Sequence, residues 1–219
     1  MITFDLIRNN PEIRTYIAAA DSTLEAIGYT EHSFAHATLV AEHAAYILST
    51  LGYPERTVEL ARIAGFLHDI GNMVNRVAHS QSGALMAFSL LTRMGMDAEE
   101  TSAIVSAIGN HDEGTGEAVS PLAAALIIAD KTDVRRSRVR SETTMSTDIH
   151  DRVNYSVKAA KVTVDREART VTLSLRVDTD ISQVMDYFEI FLERMIMCRK
   201  AAAHLDTVFC FLINGQRML

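Results

Sequence analysis

The sequence predicts an α+β protein: an all-helical bundle over residues 1–148, followed by a small strand-strand-helix-strand unit over residues 149–219. Three observations carry this. Apolar residues recur at helical spacing from Pro11 to about Val139. The period falls to two at Val171, Leu173, Leu175 and Val177. Glycine and proline mark short connections between the helical stretches.

Pro11 suits the first turn of a helix that runs to Ile27 and closes at Gly28. Leu39, Val40, Ile47 and Leu48 line the next, closed by Gly52, and Pro54 opens a third through Leu60, Ile63, Ala64 and Leu67 to Gly71. A fourth helix is expected from Ser80 to Met94, a fifth from Ala98 to Asn110, and a sixth after Ser120-Pro121, with Gly114 and Gly116 breaking the chain before it. The polar stretch from Ser141 to Asp148 separates the two units. Val153, Tyr155 and Val157 begin a strand whose phase slips before Val162 and Val164, which predicts a bulge near Ala159-Ala160. Asp165 to Arg169 is the hairpin loop. Ile181, Val184, Met185, Phe188, Phe191, Leu192, Met195 and Ala202 return to helical spacing, and the apolar run from Val208 to Ile213 reads as a central strand. Joined to the second strand through that helix by a right-handed crossover, it makes a mixed sheet with a helix on one face. The other face needs cover from the bundle or from a second subunit, so a homodimer is expected.

A chain of 219 residues, 48% hydrophobic and 22% charged, buries a real core and is neither disordered nor a disulfide-stapled miniprotein. The longest apolar run, Leu122 to Ala129, falls far short of the roughly 20 residues a bilayer crossing needs. Asp5 and Arg8 stand where a secretory leader would carry its basic and then apolar pattern, so a soluble, cytoplasmic protein is expected. Cys198 and Cys210 lie in apolar surroundings and read as reduced core residues. A net charge of -7 argues against nucleic-acid polymers as partners and leaves small phosphorylated substrates open. Lys131, Arg135, Arg136, Arg138 and Arg140 form one local basic run.

His68-Asp69 ends an apolar helix. Adjacent residues on a regular helix diverge by about 100°, so both can reach one point only at such an end. His36 lies in mid-helix on the face of Val40, His43 and Ile47, where a buried imidazole needs a partner such as a divalent metal. His79 precedes a helix, His111 ends one, and Asp130 closes the apolar run, where a carboxylate calls for a cation. Four histidines and two aspartates suit manganese, iron, zinc or nickel better than calcium. Six side chains exceed the needs of one tetrahedral ion; two ions bridged by Asp69 are expected.

The order His36, His68-Asp69, His79, His111, Asp130 resembles the HD superfamily of metal-dependent phosphohydrolases. The segment Phe66-Leu67-His68-Asp69-Ile70-Gly71 carries the doublet for which that family is named. His36 begins a stretch similar to the family's first ligand helix, His79 and His111 resemble the extra histidines of its dinuclear branch, and Ala129-Asp130-Lys131 resembles its final aspartate. The resemblance spans about residues 20 to 140. The chain departs from the cyclic-di-GMP-degrading branch, with Asn110 before His111, Gly114-Thr-Gly116-Glu-Ala-Val in place of a Gly-Tyr-Pro signature, and Asn72 where a lysine would follow. Cyclic-di-GMP is therefore not the expected substrate.

The resemblance implies hydrolysis of a small phosphorylated metabolite or nucleotide by metal-activated water, with Asp69, His111 and Lys131 as catalytic residues. Lys131, Arg135, Arg136, Arg76 and His32 are the candidates for substrate contact, since guanidinium groups take phosphate in bidentate fashion. Asp112 or Glu113 could move protons. A diiron oxygenase would use the same six ligands, and a non-catalytic signalling module would keep the fold and lose ligands.

Overall fold

The computed structural model describes residues 1–140 and 148–219; most of the expected polar linker, residues 141–147, lies outside them. The helical part comprises α1 (Phe4–Asn9), α2 (Pro11–Ala26), α3 (Phe34–Leu51), α4 (Glu55–Leu67), α5 (His79–Arg93), α6 (Ala98–Gly109) and α7 (Pro121–Lys131), with a 3-10 turn at Ile70–Met73 between α4 and α5. Side-chain oxygens of Asn10, Ser33, Asp97 and Ser120 cap α2, α3, α6 and α7. These polar groups accept from backbone N–H donors that have no partner within the helix.

The centre of the bundle is α7. Every residue from Leu122 to Ala129 is buried, because α3, α4 and α6 of the bundle and a C-terminal helix all pack around it; a helix apolar on every side needs such enclosure. Close approach brings the first two histidines together. A Cβ on Gly65 of α4 would lie 2.7 Å from the Cα of Ala41 on α3, so only glycine lets these backbones meet. His36 sits in the first turn of α3, not in its middle, because Ser33 starts that helix later than apolar spacing alone suggests.

The C-terminal part comprises α8 (Ile149–Ser156), β1 (Val157–Asp165), β2 (Thr170–Val177), α9 (Val184–His204), β3 (Val208–Ile213) and the two-residue β4 (Gln216–Arg217). The expected strand character of Val153 and Tyr155 is corrected here. They belong to α8, whose start is fixed by Asp148 accepting from the backbone N–H groups of His150 and Asp151; three alternating apolar residues are too short a pattern to outweigh a cap. The register slips between Val157 and Ala159, one residue before the expected bulge. The sheet is mixed: β1 runs antiparallel to β2, β2 parallel to β3, and β3 antiparallel to β4.

One face of the sheet is covered by α9. Tyr187, Phe191 and Met195 bury against Leu173, Phe209 and Phe211, with the Tyr187 and Phe211 ring centroids 5.3 Å apart. The same helix packs against α7, so the apolar core runs without a break from the bundle into the sheet. Beyond it, β1 leans on α3, where the Tyr46 hydroxyl accepts from the Val164 backbone N–H. Cys198 is buried and both cysteines are free. No helix among the described residues is long and apolar enough to cross a membrane.

Candidate metal centre

The six ligand candidates converge at one end of the bundle. His36 comes from the start of α3, His68 and Asp69 from the end of α4, His79 from the start of α5, His111 from just beyond α6, and Asp130 from the last turn of α7. The α-helix stops at Leu67, and Asp69 adopts φ -98°, ψ 2°, so the two adjacent side chains leave the helix toward the same point.

Gly71 decides how closely α5 follows. A Cβ there would lie 2.0 Å from the His79 carbonyl oxygen and 2.4 Å from the Gly83 nitrogen. Immediately before His79, Ala78 holds φ 58° and ψ 29°, a left-handed conformation that costs an alanine about 1–2 kcal/mol. Strain beside a functional side chain is a frequent arrangement. Gly71→Ala is expected to lower stability by about 3 kcal/mol through overpacking and to displace His79. Thermal melts and elemental analysis check this: bound metal should fall below the wild-type content, and a variant that keeps the wild-type content would contradict it.

The donor atoms form two groups. In the first, His36 Nε2 stands 3.2 Å from His68 Nε2, 3.4 Å from Asp130 Oδ1 and 3.6 Å from Asp69 Oδ2; His68 Nε2 stands 3.4 Å from Asp69 Oδ2 and 3.6 Å from Asp130 Oδ1. In the second, His79 Nε2 is 3.2 Å from His111 Nε2 and 3.4 Å from Asp69 Oδ1, which lies 3.8 Å from His111 Nε2. Asp69 therefore turns one oxygen to each group. Asp112 Oδ1 adds a carboxylate 3.9 Å from His79 Nε2. Donors that share one ion at about 2.1 Å lie about 3.0–4.2 Å apart, the spacing seen in both groups.

The tautomers follow from what each Nδ1 touches. His68 Nδ1 lies 2.8 Å from the Gly65 carbonyl, His79 Nδ1 3.1 Å from that of Arg76, and His111 Nδ1 2.6 Å from that of Ile108. His36 Nδ1 lies 2.8 Å from Asp133 Oδ2. Carbonyls and carboxylates only accept, so each Nδ1 carries the hydrogen and each neutral Nε2 presents a lone pair to the cluster. Two lone pairs 3.2 Å apart in a buried site need a cation between them. Burial opposes charge on His68, yet Asp69 and Asp130 outweigh it and push its pKa up to about 10. The same contest, with Asp130, Asp133 and Asp69 against burial and Arg138, raises His36 to about 9. His79 goes the other way, to about 4, because burial, His111 and Arg76 prevail over Asp69. The first pair thus sits in a field that demands positive charge, and His79 of the second stays neutral and able to coordinate. These residues fit a pair of divalent ions bridged by Asp69.

Several supports are absent from any reading of spacing. Asn72 donates through Nδ2 to Asp69 Oδ1 at 2.8 Å and fixes the carboxylate that faces both groups. In the sequence it shows only as a departure from a lysine. Asp133 orients His36 and binds Arg135 in a two-pronged contact through Nε and Nη2, while Arg138 donates to its carbonyl. The basic run is therefore mostly bracing. Lys131 is buried, 2.7 Å from Asp130 Oδ2 and 3.1 Å from Glu113 Oε2; Arg140 pairs with Asp21; Arg136 donates to the Tyr155 carbonyl and stacks on that ring. Arg135 and Arg136 are thus committed elsewhere, and of the five expected substrate contacts only Arg76 and His32 line the cavity beside the cluster. Arg76 Nη1 is 3.3 Å from His79 Nε2, and the His32 ring centroid is 5.2 Å from that of His36.

The family model described as HD domain matches residues 30–135, the span that holds all six converging ligand candidates. The uncharacterized protein MJ1020 of Methanocaldococcus jannaschii is 26% identical over 162 residues, covering 64% of this chain and 62% of that protein. This chain thus spans about 62% of the length of the curated relative it matches. A crystal structure of a predicted HD superfamily hydrolase from an uncultured Thermotogales bacterium is 28% identical, covers 62% of this chain and 75% of its own, and superposes with a TM-score of 0.44. With the His68-Asp69 doublet at the helix end and its partners around it, residues 30–135 are recognised as an HD domain.

Proposed function

We propose that the protein is a metal-dependent phosphohydrolase acting on a small phosphorylated metabolite or nucleotide. The observation that carries this reading is Asp69, whose two oxygens face two separate imidazole pairs. His36, His68, Asp69 and Asp130 would hold one divalent ion, and His79, His111 and Asp69 a second. When bound, such a pair supplies Lewis acidity and lowers the pKa of water enough to provide a nucleophile at neutral pH.

The chain's own groups prepare the site. The Nδ1 contacts lock four imidazoles in the coordinating tautomer, and Asn72 holds Asp69 between the pairs. Lys131 grips the second oxygen of Asp130, leaving Oδ1 for the cluster. Arg76, at the margin, is placed to meet charge developing on a phosphoryl oxygen. Glu113 is no proton shuttle: burial alone would raise its pKa, but Lys131 and Arg194 hold it well below the usual carboxylate range, so it remains charged at neutral pH. Asp112, beside His79, is the better candidate to move a proton.

Protein purified without a histidine tag, metal additions or chelator should contain about two equivalents of iron, manganese or nickel, or of zinc. It should release phosphate from a panel of small monoesters and lose that activity on chelation. A metal-loaded protein that leaves every ester intact but consumes dioxygen would replace this reading with an oxygenase.

A further inference from the structure

We propose that Arg194 of α9 joins Arg76 in an anion clamp beside the metal cluster, in a cavity that takes a small phosphomonoester with a polar body. The inference rests on the phosphohydrolase reading and specifies its substrate class. The cavity measures about 350 Å³, and its walls include Tyr29, His32, Arg76, Asn154, Phe191 and Arg194. That volume is at the lower end of small-ligand sites, about 300–1,000 Å³, and suits one small metabolite and not a dinucleotide.

Three wall residues lead directly to the cluster. Arg76 touches His79 and His32 stacks edge-on against His36. Arg194 Nε lies 2.7 Å from Glu113 Oε1, and the other Glu113 oxygen binds Lys131, which binds Asp130. The Arg194 guanidinium sits over the Phe191 ring at 4.8 Å, which fixes its plane. Only its Nε is engaged among the described residues, so both terminal nitrogens are available to phosphate oxygens in fork geometry. Arg76 offers a second fork, held by long contacts of 3.3 and 3.4 Å through Nη1 alone. Two guanidinium groups lining one cavity, in a chain of net charge -7, mark where an anion would settle. On the α8 side, Asn154 lines the cavity with an amide, which suits a hydroxyl or amino group on the organic half. The C-terminal unit thereby supplies substrate recognition to a metal centre built entirely by the bundle.

The test is calorimetric binding of inorganic phosphate to the metal-loaded protein, with p-nitrophenyl phosphate hydrolysis measured in parallel. Arg194→Gln should weaken phosphate at least about tenfold with metal content unchanged, and Arg194→Lys should restore part of the loss. Glu113→Gln breaks the ion pair but keeps the guanidinium, so it should cost at most about threefold. Equal losses in Arg194→Gln and Glu113→Gln would show that Arg194 acts only through Glu113, and would overturn the clamp. So would unchanged phosphate affinity in Arg194→Gln, or turnover of a cyclic dinucleotide. If that variant loses phosphate affinity while the metal-loaded wild type is inert on every ester, the anion site stands and the hydrolase reading falls.

Discussion

Asp69→Ala should strip the protein of both metal ions and reduce phosphate release at least about a thousandfold. A single preorganised group at a reacting centre is worth about a hundred- to a thousandfold, and in the proposed site Asp69 would serve two ions at once, since Oδ2 faces His68 and Oδ1 faces His79. The same change removes the acceptor to which Asn72 donates. It also weakens the field that holds the buried His68 pKa near 10. Asp69→Asn is the sharper comparison, since it keeps shape and one acceptor but not the charge, and should retain one ion weakly. Elemental analysis and ester hydrolysis on the same preparations decide the matter. An alanine variant with two equivalents of metal, or with a tenth of wild-type activity, would remove Asp69 from its bridging role.

The second large effect is expected at Asp133, which lies outside the proposed ion sites yet holds His36, a candidate ligand, in place. It is buried, 2.8 Å from His36 Nδ1, paired with Arg135, and 3.7 Å from the buried Arg138 guanidinium. Arg138, His36 and Arg135 hold its carboxyl far below the usual range against the opposing effect of burial. Asp133→Ala would leave a buried guanidinium and an imidazole N–H without their carboxylate. Breaking such a buried pair costs about 3–5 kcal/mol, a large part of the roughly 5–15 kcal/mol that a domain possesses. Asp133→Asn should fold, but bind metal about 10–100-fold more weakly, the usual cost of disturbing a group that orients a ligating histidine. Denaturant unfolding and metal competition measure the two effects separately. A stable alanine variant with wild-type metal affinity would contradict both.

Much of the fold is legible in the order of residues, because the signals are local. Ser120-Pro121 followed by eight apolar residues can only begin a buried helix, and the period of two from Val171 to Val177 can only be a half-buried strand. Val153 and Tyr155 mislead for the same reason: a three-residue alternation is weaker than the cap that Asp148 provides, and α8 forms instead. His36, His68, Asp69, His79, His111 and Asp130 are legible as a set because each is a polar group at an apolar helix end or face, where burial requires a partner.

What those signals leave open is who partners whom across the chain. The basic run from Lys131 to Arg140 looks alike whether it meets phosphate or braces the fold. Contacts with Asp130, Glu113, Asp133, Tyr155 and Asp21 settle it largely as bracing. Asn72, Asp133 and Arg194 carry no spacing signature, since their partners lie 3, 97 and 81 residues away and are chosen by packing. Helix ends and strand periods are encoded within a few neighbouring residues. The second ring of contacts around the ligands, and the wall that α8 and α9 add beside them, exist only once α7 is enclosed and distant segments share one core.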